Sequence, residues 1–168
     1  TRVLEVYQHG LAGATVHAVP APPADLLDLA YATAVSIETL EGKRASVFNV
    51  GQPWRIRVGF RIAKAQEQLV IAIGLASPDG SAVQTSWFPP RDLAPGDYEA
   101  DFIQDRVTLE AGSYTTVIGL SSRDRSLQQF QSERFDISGE TVAGTYAPTT
   151  SGVGAVLNSM RQELRKLS

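Results

Sequence analysis

The sequence contains no cysteine, and this absence excludes both a disulfide scaffold and a zinc site built from thiolates. It is also typical of a reducing compartment. The 168 residues are nevertheless 43% hydrophobic, which is sufficient to bury one core without covalent or metal cross-links. We therefore expect a single folded domain with flanking segments.

An excess of charge of one sign is lacking too, because 15 basic residues stand against 18 acidic ones and the net charge is −3. This balance gives no basic footprint for nucleic acid, so no nucleic-acid partner is expected. No stretch approaches the roughly 20 apolar residues needed to cross a bilayer. No signal-peptide pattern opens the chain.

The two ends of the chain differ from its middle in composition. Residues 1–30 are interpreted as a linker or tether, because Val19–Pro23 is a stiff, proline-rich segment that is followed by one predicted helical turn at Asp25–Leu29. The first residue is Thr1 and not Met, so the chain is expected to be either a processed protein or a domain excised from a longer one, and the tether favours excision.

Apolar residues at every second position dominate the middle of the chain. The clearest case is Trp54–Ile62, where they alternate with arginine and glycine, and Leu69–Ala76 repeats the pattern. Turn signals such as Ser77–Gly80 separate six or seven such segments, and no helix-length period interrupts them. The sequence therefore predicts an all-β domain over residues 31–138, a two-sheet antiparallel sandwich of jelly-roll or immunoglobulin-like type.

Residues 139–168 are predicted to be a linker followed by a short amphipathic helix. The helix is indicated by apolar residues at three- and four-residue steps, namely Val153, Val156, Leu157, Met160, Leu164 and Leu167. A helix of this length is marginal alone, so it is expected to dock on the sandwich or on a partner.

Catalytic motifs are missing from the sequence. There is no phosphate-binding GxxxxGK[ST] loop and no GxSxG nucleophile elbow. Both histidines, His9 and His17, lie in the tether and are expected to be solvated. Asp97, Glu99 and Asp101 share a strand, but this spacing is also that of any solvent-facing strand, so a glycosidase pair is not favoured. We expect no catalytic residue, no metal and no cofactor, and hence no enzyme.

Three glycines fall on strand positions that alternate with the core, and glycine there often marks a place where a ligand approaches the backbone. If their strands are neighbours, they form the floor of a shallow groove with a polar rim, and Trp87 or Phe88 could cover a pyranose ring. Trp54 is expected to be buried, and Trp87 at least partly exposed. In the alternative interpretation these residues form only a solvated sheet face. The candidate carbohydrate-binding residues are Arg57, Gly59, Arg61, Gly74, Gln84, Ser86, Trp87 and Gly119.

Segments spread over Ala34–Ser138 resemble a known family. They are Val47–Pro53, Gly74–Gly80, Val83–Thr85, Leu93–Tyr98, Leu109–Tyr114 and Phe135–Ile137. On these segments the chain resembles the C-terminal carbohydrate-binding domain of the ATP-binding subunit of O-antigen polysaccharide ABC transporters, the Wzt type.

The resemblance implies a jelly-roll-like sandwich that recognises a finished O-antigen polysaccharide, the glycan of lipopolysaccharide, before its export. It also implies a homodimer, a fused N-terminal nucleotide-binding domain and a membrane permease subunit, so that the parent protein would be an ABC ATPase. The expected location is the cytoplasmic face of the bacterial inner membrane. No sugar-contacting residue is carried over from the family.

Two other functions remain open from the sequence alone. The chain could be a structural or dimerisation sandwich whose sheet face and terminal helix bind protein partners, or an enzyme acting on glycans. A glycan array or a titration with the organism's own polysaccharide separates the carbohydrate-binding hypothesis from the structural one.

Overall fold

A computed structural model describes residues 19–141 and 161–167 of the protein. These residues form ten strands and one short 3₁₀ turn at Ala24–Leu26. The strands are β1 (Ala30–Glu38), β2 (Val47–Val50), β3 (Trp54–Ile62), β4 (Gln66–Ala76), β5 (Ala82–Trp87), β6 (Arg91–Leu93), β7 (Gly96–Gln104), β8 (Gly112–Ser122), β9 (Arg125–Thr141) and β10 (Arg161–Leu167).

The strands divide between a four-stranded and a six-stranded sheet. The four-stranded sheet has the order β1-β3-β7-β10, and all its pairs are antiparallel. The six-stranded sheet has the order β2-β9-β8-β4-β5, and β6 lies off this order, pairing with the first residues of β4. The predicted sandwich is confirmed, with one departure: β2 and β9 pair in parallel.

The core lies between the two sheets because each central strand turns alternate side chains inward. Trp54, Phe48 and Phe135 form an aromatic cluster with ring centroids 4.8 to 6.3 Å apart. Trp54 has no exposed surface, as predicted, and its Nε1 donates to Gln104 Oε1 at 2.8 Å. This hydrogen bond satisfies the one polar atom of the indole, which would otherwise be costly to bury.

Two turns of similar sequence start β7 and β8, and both are fixed by a tyrosine. Tyr98 donates its hydroxyl to the carbonyl of Ala94 at 2.9 Å, and Tyr114 donates to the carbonyl of Glu110 at 2.7 Å. The glycine two residues before each tyrosine has a positive φ, 153° at Gly96 and 158° at Gly112, which L side chains rarely adopt. These contacts explain why both segments have a glycine and a tyrosine at this spacing.

The predicted C-terminal helix is wrong. Residues 161–167 form β10, which extends the four-stranded sheet by pairing antiparallel with β7 from Asp97↔Leu167 to Ile103↔Arg161. The outer edge of β7 offers a row of backbone donors and acceptors, and strand pairing satisfies them while a marginal helix would not. The first part of the predicted helix, residues 153–160, lies outside the described residues.

The sandwich extends slightly beyond the limits predicted for it. β1 begins at Ala30, β9 runs to Thr141, and β10 belongs to a sheet. Within the predicted tether, Leu26 is buried in the core and Val19 packs against it. The end of the tether therefore covers one margin of the sandwich, while residues 1–18 lie outside the described part of the chain.

Candidate functional site

The outer face of the four-stranded sheet carries a network of ion pairs, here called the charged face. Its members are Glu38, Arg55, Arg57, Glu99, Asp101 and Arg165. The strand register explains the pairing, since Glu38 lies opposite Arg55, Arg57 opposite Asp101, and Glu99 opposite Arg165. Directly opposed residues of unlike charge stabilise a sheet.

Arg57 is the central cation of the charged face. Its Nε lies 2.8 Å from Asp101 Oδ1 and 2.9 Å from Glu99 Oε1, and its Nη2 lies 3.2 Å from Asp101 Oδ2. The hydrogen-bonded carboxylate of Asp101 raises the pKa of the Arg57 guanidinium further above its ordinary value. Asp101 is only 4% exposed, so this fork of hydrogen bonds compensates a buried charge. Two of the three guanidinium nitrogens of Arg57, Nε and Nη2, therefore donate within the protein.

Two other predicted site residues lie on the same sheet as Arg57. Arg61 is exposed and lies 3.6 Å from Asp97 Oδ1, in a solvent-facing pair. Gly59 lies opposite Ala34, next to an irregularity in β1, and a β-carbon at position 59 would lie 3.1 Å from Thr33 Oγ1. A close approach between strands thus accounts for this glycine without a ligand.

The outer face of the six-stranded sheet is built differently. Its register aligns residues in rows across four strands: Gln129, Gly119, Ala72 and Trp87 form one row, and Gln131, Val117, Gly74 and Thr85 form the next. Each strand adds about 4.8 Å, so the glutamines on β9 and the side chains on β5 flank a floor of small residues.

These rows enclose an open groove of about 800 Å³, here called the glycine groove. A β-carbon at Gly74 would lie 3.5 Å from Val117 Cβ, and one at Gly119 would lie 3.9 Å from Ala72 Cβ, both ordinary contacts. The two glycines therefore lower the floor without being required by their neighbours. Trp87 stands at the end of one row with 54% of its surface exposed, as predicted.

The glycine groove has no charged side chain among the residues that line it. Beside it, the turn before β5 contains Asp79, which accepts hydrogen bonds from the side chain of Ser77 and from both the backbone and the side chain of Ser81. The hydrogen bond from Ser77 is the main cause of a lowered Asp79 pKa. An ionised carboxylate therefore stands next to Gly80, a residue of the groove.

Gln84 and Ser86 were predicted on the groove rim, but they face the core. The register places Gln84 opposite Leu75 and Ser86 opposite Ile73, both of which are core residues. Gln84 is 2% exposed, and its side-chain amide has no hydrogen-bond partner among the described residues. The predicted alternative to Trp87 as a stacking residue, Phe88, is also buried, with its ring edge-on to Phe102 at 5.1 Å.

The structure thus brings together only part of the predicted site. Gly74, Gly119 and Trp87 share one face, whereas Arg57, Gly59 and Arg61 lie on the other sheet, and Gln84 and Ser86 point inward. The sequence reasoning missed Gln129 and Gln131 of the groove. Their alternation with Phe130, which packs against the core, was the signal that could have revealed them.

Within residues 19–141 and 161–167, no cluster of three or more histidine, aspartate or glutamate side chains could hold a metal ion. The same residues also contain no helix that is long and apolar enough to span a membrane.

Comparisons with known proteins agree with the fold. A profile of the Wzt C-terminal domain matches residues 29–137. The crystal structure of the C-terminal domain of wzt superposes with a TM-score of 0.60 at 12% identity, covering 83% of this chain and 92% of that chain. At this identity the superposition shows the fold alone.

Two further comparisons add nothing to the assignment. The Pseudomonas fluorescens alkylpurine DNA glycosylase AlkC bound to DNA containing an abasic site analog matches with a TM-score of 0.39 and 13% identity, over 62% of this chain and 30% of that chain, too low to carry an argument. No curated protein sequence matched.

Since the profile covers more than half of the sequence, the resemblance noted above is confirmed, and the chain belongs to the Wzt C-terminal domain family.

Proposed function

We propose that this chain is a carbohydrate-binding domain that recognises a bacterial O-antigen-type polysaccharide for export by an ABC transporter. Family membership supports such a role at the level of the family. The observation that carries the proposal for this chain is the glycine groove, an open cleft on one sheet face with an exposed tryptophan at its end and amide side chains along one side.

In this proposal each part of the groove meets a different part of a sugar. The exposed indole of Trp87 covers the apolar face of a pyranose ring. The amides of Gln129 and Gln131 hydrogen-bond hydroxyl groups, because an amide offers both donors and an acceptor. The low floor at Gly74 and Gly119 lets the ring approach the sheet.

The charged face is the poorer candidate for this role. A guanidinium that binds sugar hydroxyls competes with its existing partners, and Nε and Nη2 of Arg57 are directed at Asp101 and Glu99. Replacing these charge-assisted bonds by bonds to neutral hydroxyls would leave the buried Asp101 carboxylate uncompensated. We therefore assign the binding function to the six-stranded sheet.

The wider assembly belongs to the same proposal. Family membership suggests that the chain works within an ABC transporter complex. We propose that the domain is fused to a nucleotide-binding domain, dimerises, and works with a membrane permease at the cytoplasmic face of the bacterial inner membrane. The domain itself would bind the glycan without catalysing a reaction.

An array of purified bacterial O-antigen polysaccharides tests the proposal. The domain should bind at least one of them saturably, with an affinity in the micromolar to millimolar range, roughly −8 to −4 kcal/mol, because a shallow groove replaces water hydrogen bonds by similar ones. Trp87→Ala should abolish the signal on the array. Arg61→Ala, an exposed change on the other sheet, should not.

The array result also separates the second candidate function. An exposed tryptophan is equally suited to a protein interface. If no polysaccharide binds while Trp87→Ala changes the oligomeric state measured by ultracentrifugation, the chain is a dimerisation domain and the carbohydrate proposal fails.

A further inference from the structure

The chemistry of the glycine groove restricts which sugar it can accept. We infer that the groove selects a neutral saccharide that presents a methyl group to the floor, that is, a polymer containing 6-deoxyhexose in preference to a plain hexose or a uronic acid. This inference rests on the proposed carbohydrate-binding function and specifies its substrate class.

The first step concerns charge. No residue that lines the groove is charged, and the nearest fixed charge in the adjoining turn is the carboxylate of Asp79. Asp79 is ionised at neutral pH, as an aspartate with an ordinary pKa would be, and the hydrogen bond from Ser77 lowers its pKa further. An anionic sugar bound on the floor would lose water, and the residues that line the groove offer it no cation, since Arg134 lies opposite Thr115 in the next row and is not among them. Uronic acids are therefore disfavoured.

The second step concerns hydrogen bonds on the floor. The floor is formed by Ala72, Val117 and two glycines, so no side chain on it has a polar atom. The backbone N–H and C=O groups of the central strands β4 and β8 are used in pairing with strands on both sides. A sugar hydroxyl pressed onto this floor would be desolvated without a partner, which is unfavourable.

The third step concerns the distribution of the polar groups that do exist. Gln129 and Gln131 lie along one side of the floor and Thr85 along the other, on the strands that flank β8 and β4. A ligand is therefore best matched if its ring hydroxyls point sideways and an apolar group points down. The methyl group at C5 of a 6-deoxyhexose provides that apolar group, and it gains from burial against Ala72 and Val117.

Matched oligosaccharides isolate this exocyclic group. Tetrasaccharides of D-rhamnose and D-mannose differ only by a methyl in place of a hydroxymethyl group, and so do those of L-fucose and L-galactose. By calorimetric titration of the intact chain, the 6-deoxy member of at least one pair should bind about tenfold more tightly than its hexose counterpart. A tetragalacturonate should bind more weakly than either.

Substitution of the floor gives a second readout with a matched control. Val117→Thr places a hydroxyl in the groove at nearly constant shape, so the preference for the 6-deoxy sugar should fall severalfold. Val70→Thr makes the same change on the same face of the sheet, but on β4 and outside the groove lining, and it should leave the preference unchanged.

The possible failures are distinguishable. If polysaccharides bind on the array but none of them contains 6-deoxyhexose, or if the hexose or the uronate binds as tightly as the 6-deoxy sugar, this inference is wrong and the carbohydrate-binding function stands. An unchanged preference in Val117→Thr also contradicts it. If no saccharide binds at all, the proposed function fails first.

Discussion

The two sheets share one core but differ in what they present on their outer faces. On the four-stranded sheet, acidic side chains of β7 lie between basic side chains of β3 and β10, so that Arg57 and Arg165 both reach Glu99. On the six-stranded sheet, the corresponding positions hold glycine, alanine and valine with a tryptophan at the margin.

This difference separates a sheet face stabilised by ion pairs from the face to which we assign glycan recognition as a proposal. The polar groups of the charged face are largely directed at one another, so a ligand would have to displace existing bonds. The glycine groove has open volume and an exposed aromatic ring instead. If the proposed function holds, polar side chains on a strand are a weaker indication of a binding site than small side chains beside an aromatic one.

The largest expected effect is a loss of stability in Arg57→Met, which tests the stabilising role of the charged face. Removal of the guanidinium leaves the buried Asp101 carboxylate uncompensated, and the free energy of unfolding should fall by about 3 kcal/mol. The melting temperature should fall by about 10 °C in a thermal scan.

The controls for Arg57→Met lie on the same face. Arg61→Met removes only an exposed pair and should cost less than about 1 kcal/mol. The double variant Arg57→Met/Asp101→Leu should recover part of the loss. If Arg57→Met instead weakens glycan binding and leaves the melting temperature unchanged, the charged face is the binding face.

The next effect is on affinity, in Trp87→Ala. Loss of the indole should weaken glycan binding about tenfold or more, from stacking worth about 1–2 kcal/mol. Because Trp87 is half-exposed, the free energy of unfolding should change by less than about 0.5 kcal/mol.

Fluorescence sharpens the same test. In Trp54→Phe the only remaining tryptophan is Trp87, so iodide should quench the emission and bound glycan should protect it. The buried Trp54 is the matched control, since in Trp87→Ala the emission should resist iodide. Quenching that glycan does not alter would show that the sugar binds elsewhere.

A smaller effect distinguishes the glycines of the two faces. Gly74→Ala and Gly119→Ala should lower affinity, because the added methyl raises the groove floor, and should change stability by no more than about 1 kcal/mol. Gly59→Ala should show the opposite result. Its affinity should not change, and its free energy of unfolding should fall by up to about 1 kcal/mol because of the contact with Thr33. If all three variants bind the glycan as tightly as the parent protein, the glycine groove is not the binding site.

The smallest effect concerns the turn beside the groove. The folded-state pKa of Asp79 is lowered, so the stabilisation from its ionised form is fully present above its ordinary pKa of 3.8 and is lost as pH falls through the lower folded value. The difference in melting temperature between the parent and Asp79→Asn should therefore shrink as the pH is lowered below about 4. A difference that grows at low pH would contradict the assignment.

The alternation of apolar and polar residues decides how much of this fold could be predicted from the sequence. In Trp54–Ile62 and Tyr114–Leu120, each strand has one buried face, so the period of two marks both the strand and its core residues. Alternation does not encode which strands are neighbours. β3 and β4 are consecutive yet lie in different sheets, so Arg57 and Gly74 were wrongly placed in one groove.

The remaining errors arose where tertiary pairing overrode local preference. Gln84 and Ser86 are polar but lie inward, because the register of β5 with β4 exposes Trp87 in their place. Leu164 and Leu167 match a helical period, but the open edge of β7 recruits them into β10. The local sequence determines neither outcome, because each depends on pairing with a partner strand that is distant in the sequence.

The parallel pair of β2 and β9 has a consequence for the order of folding. Ser138 donates its hydroxyl to Asn49 Oδ1 across 89 residues of sequence, beside the ladder that joins the two strands. β4, β5 and β8, which form the floor and one side of the glycine groove, pair with strands closer in the chain. During synthesis β2 must wait, unpaired, until β9 has emerged, while the groove strands can already associate. Such non-local pairing slows folding to milliseconds or seconds, and until β9 is in place the edges of both β2 and β8 are open to aggregation.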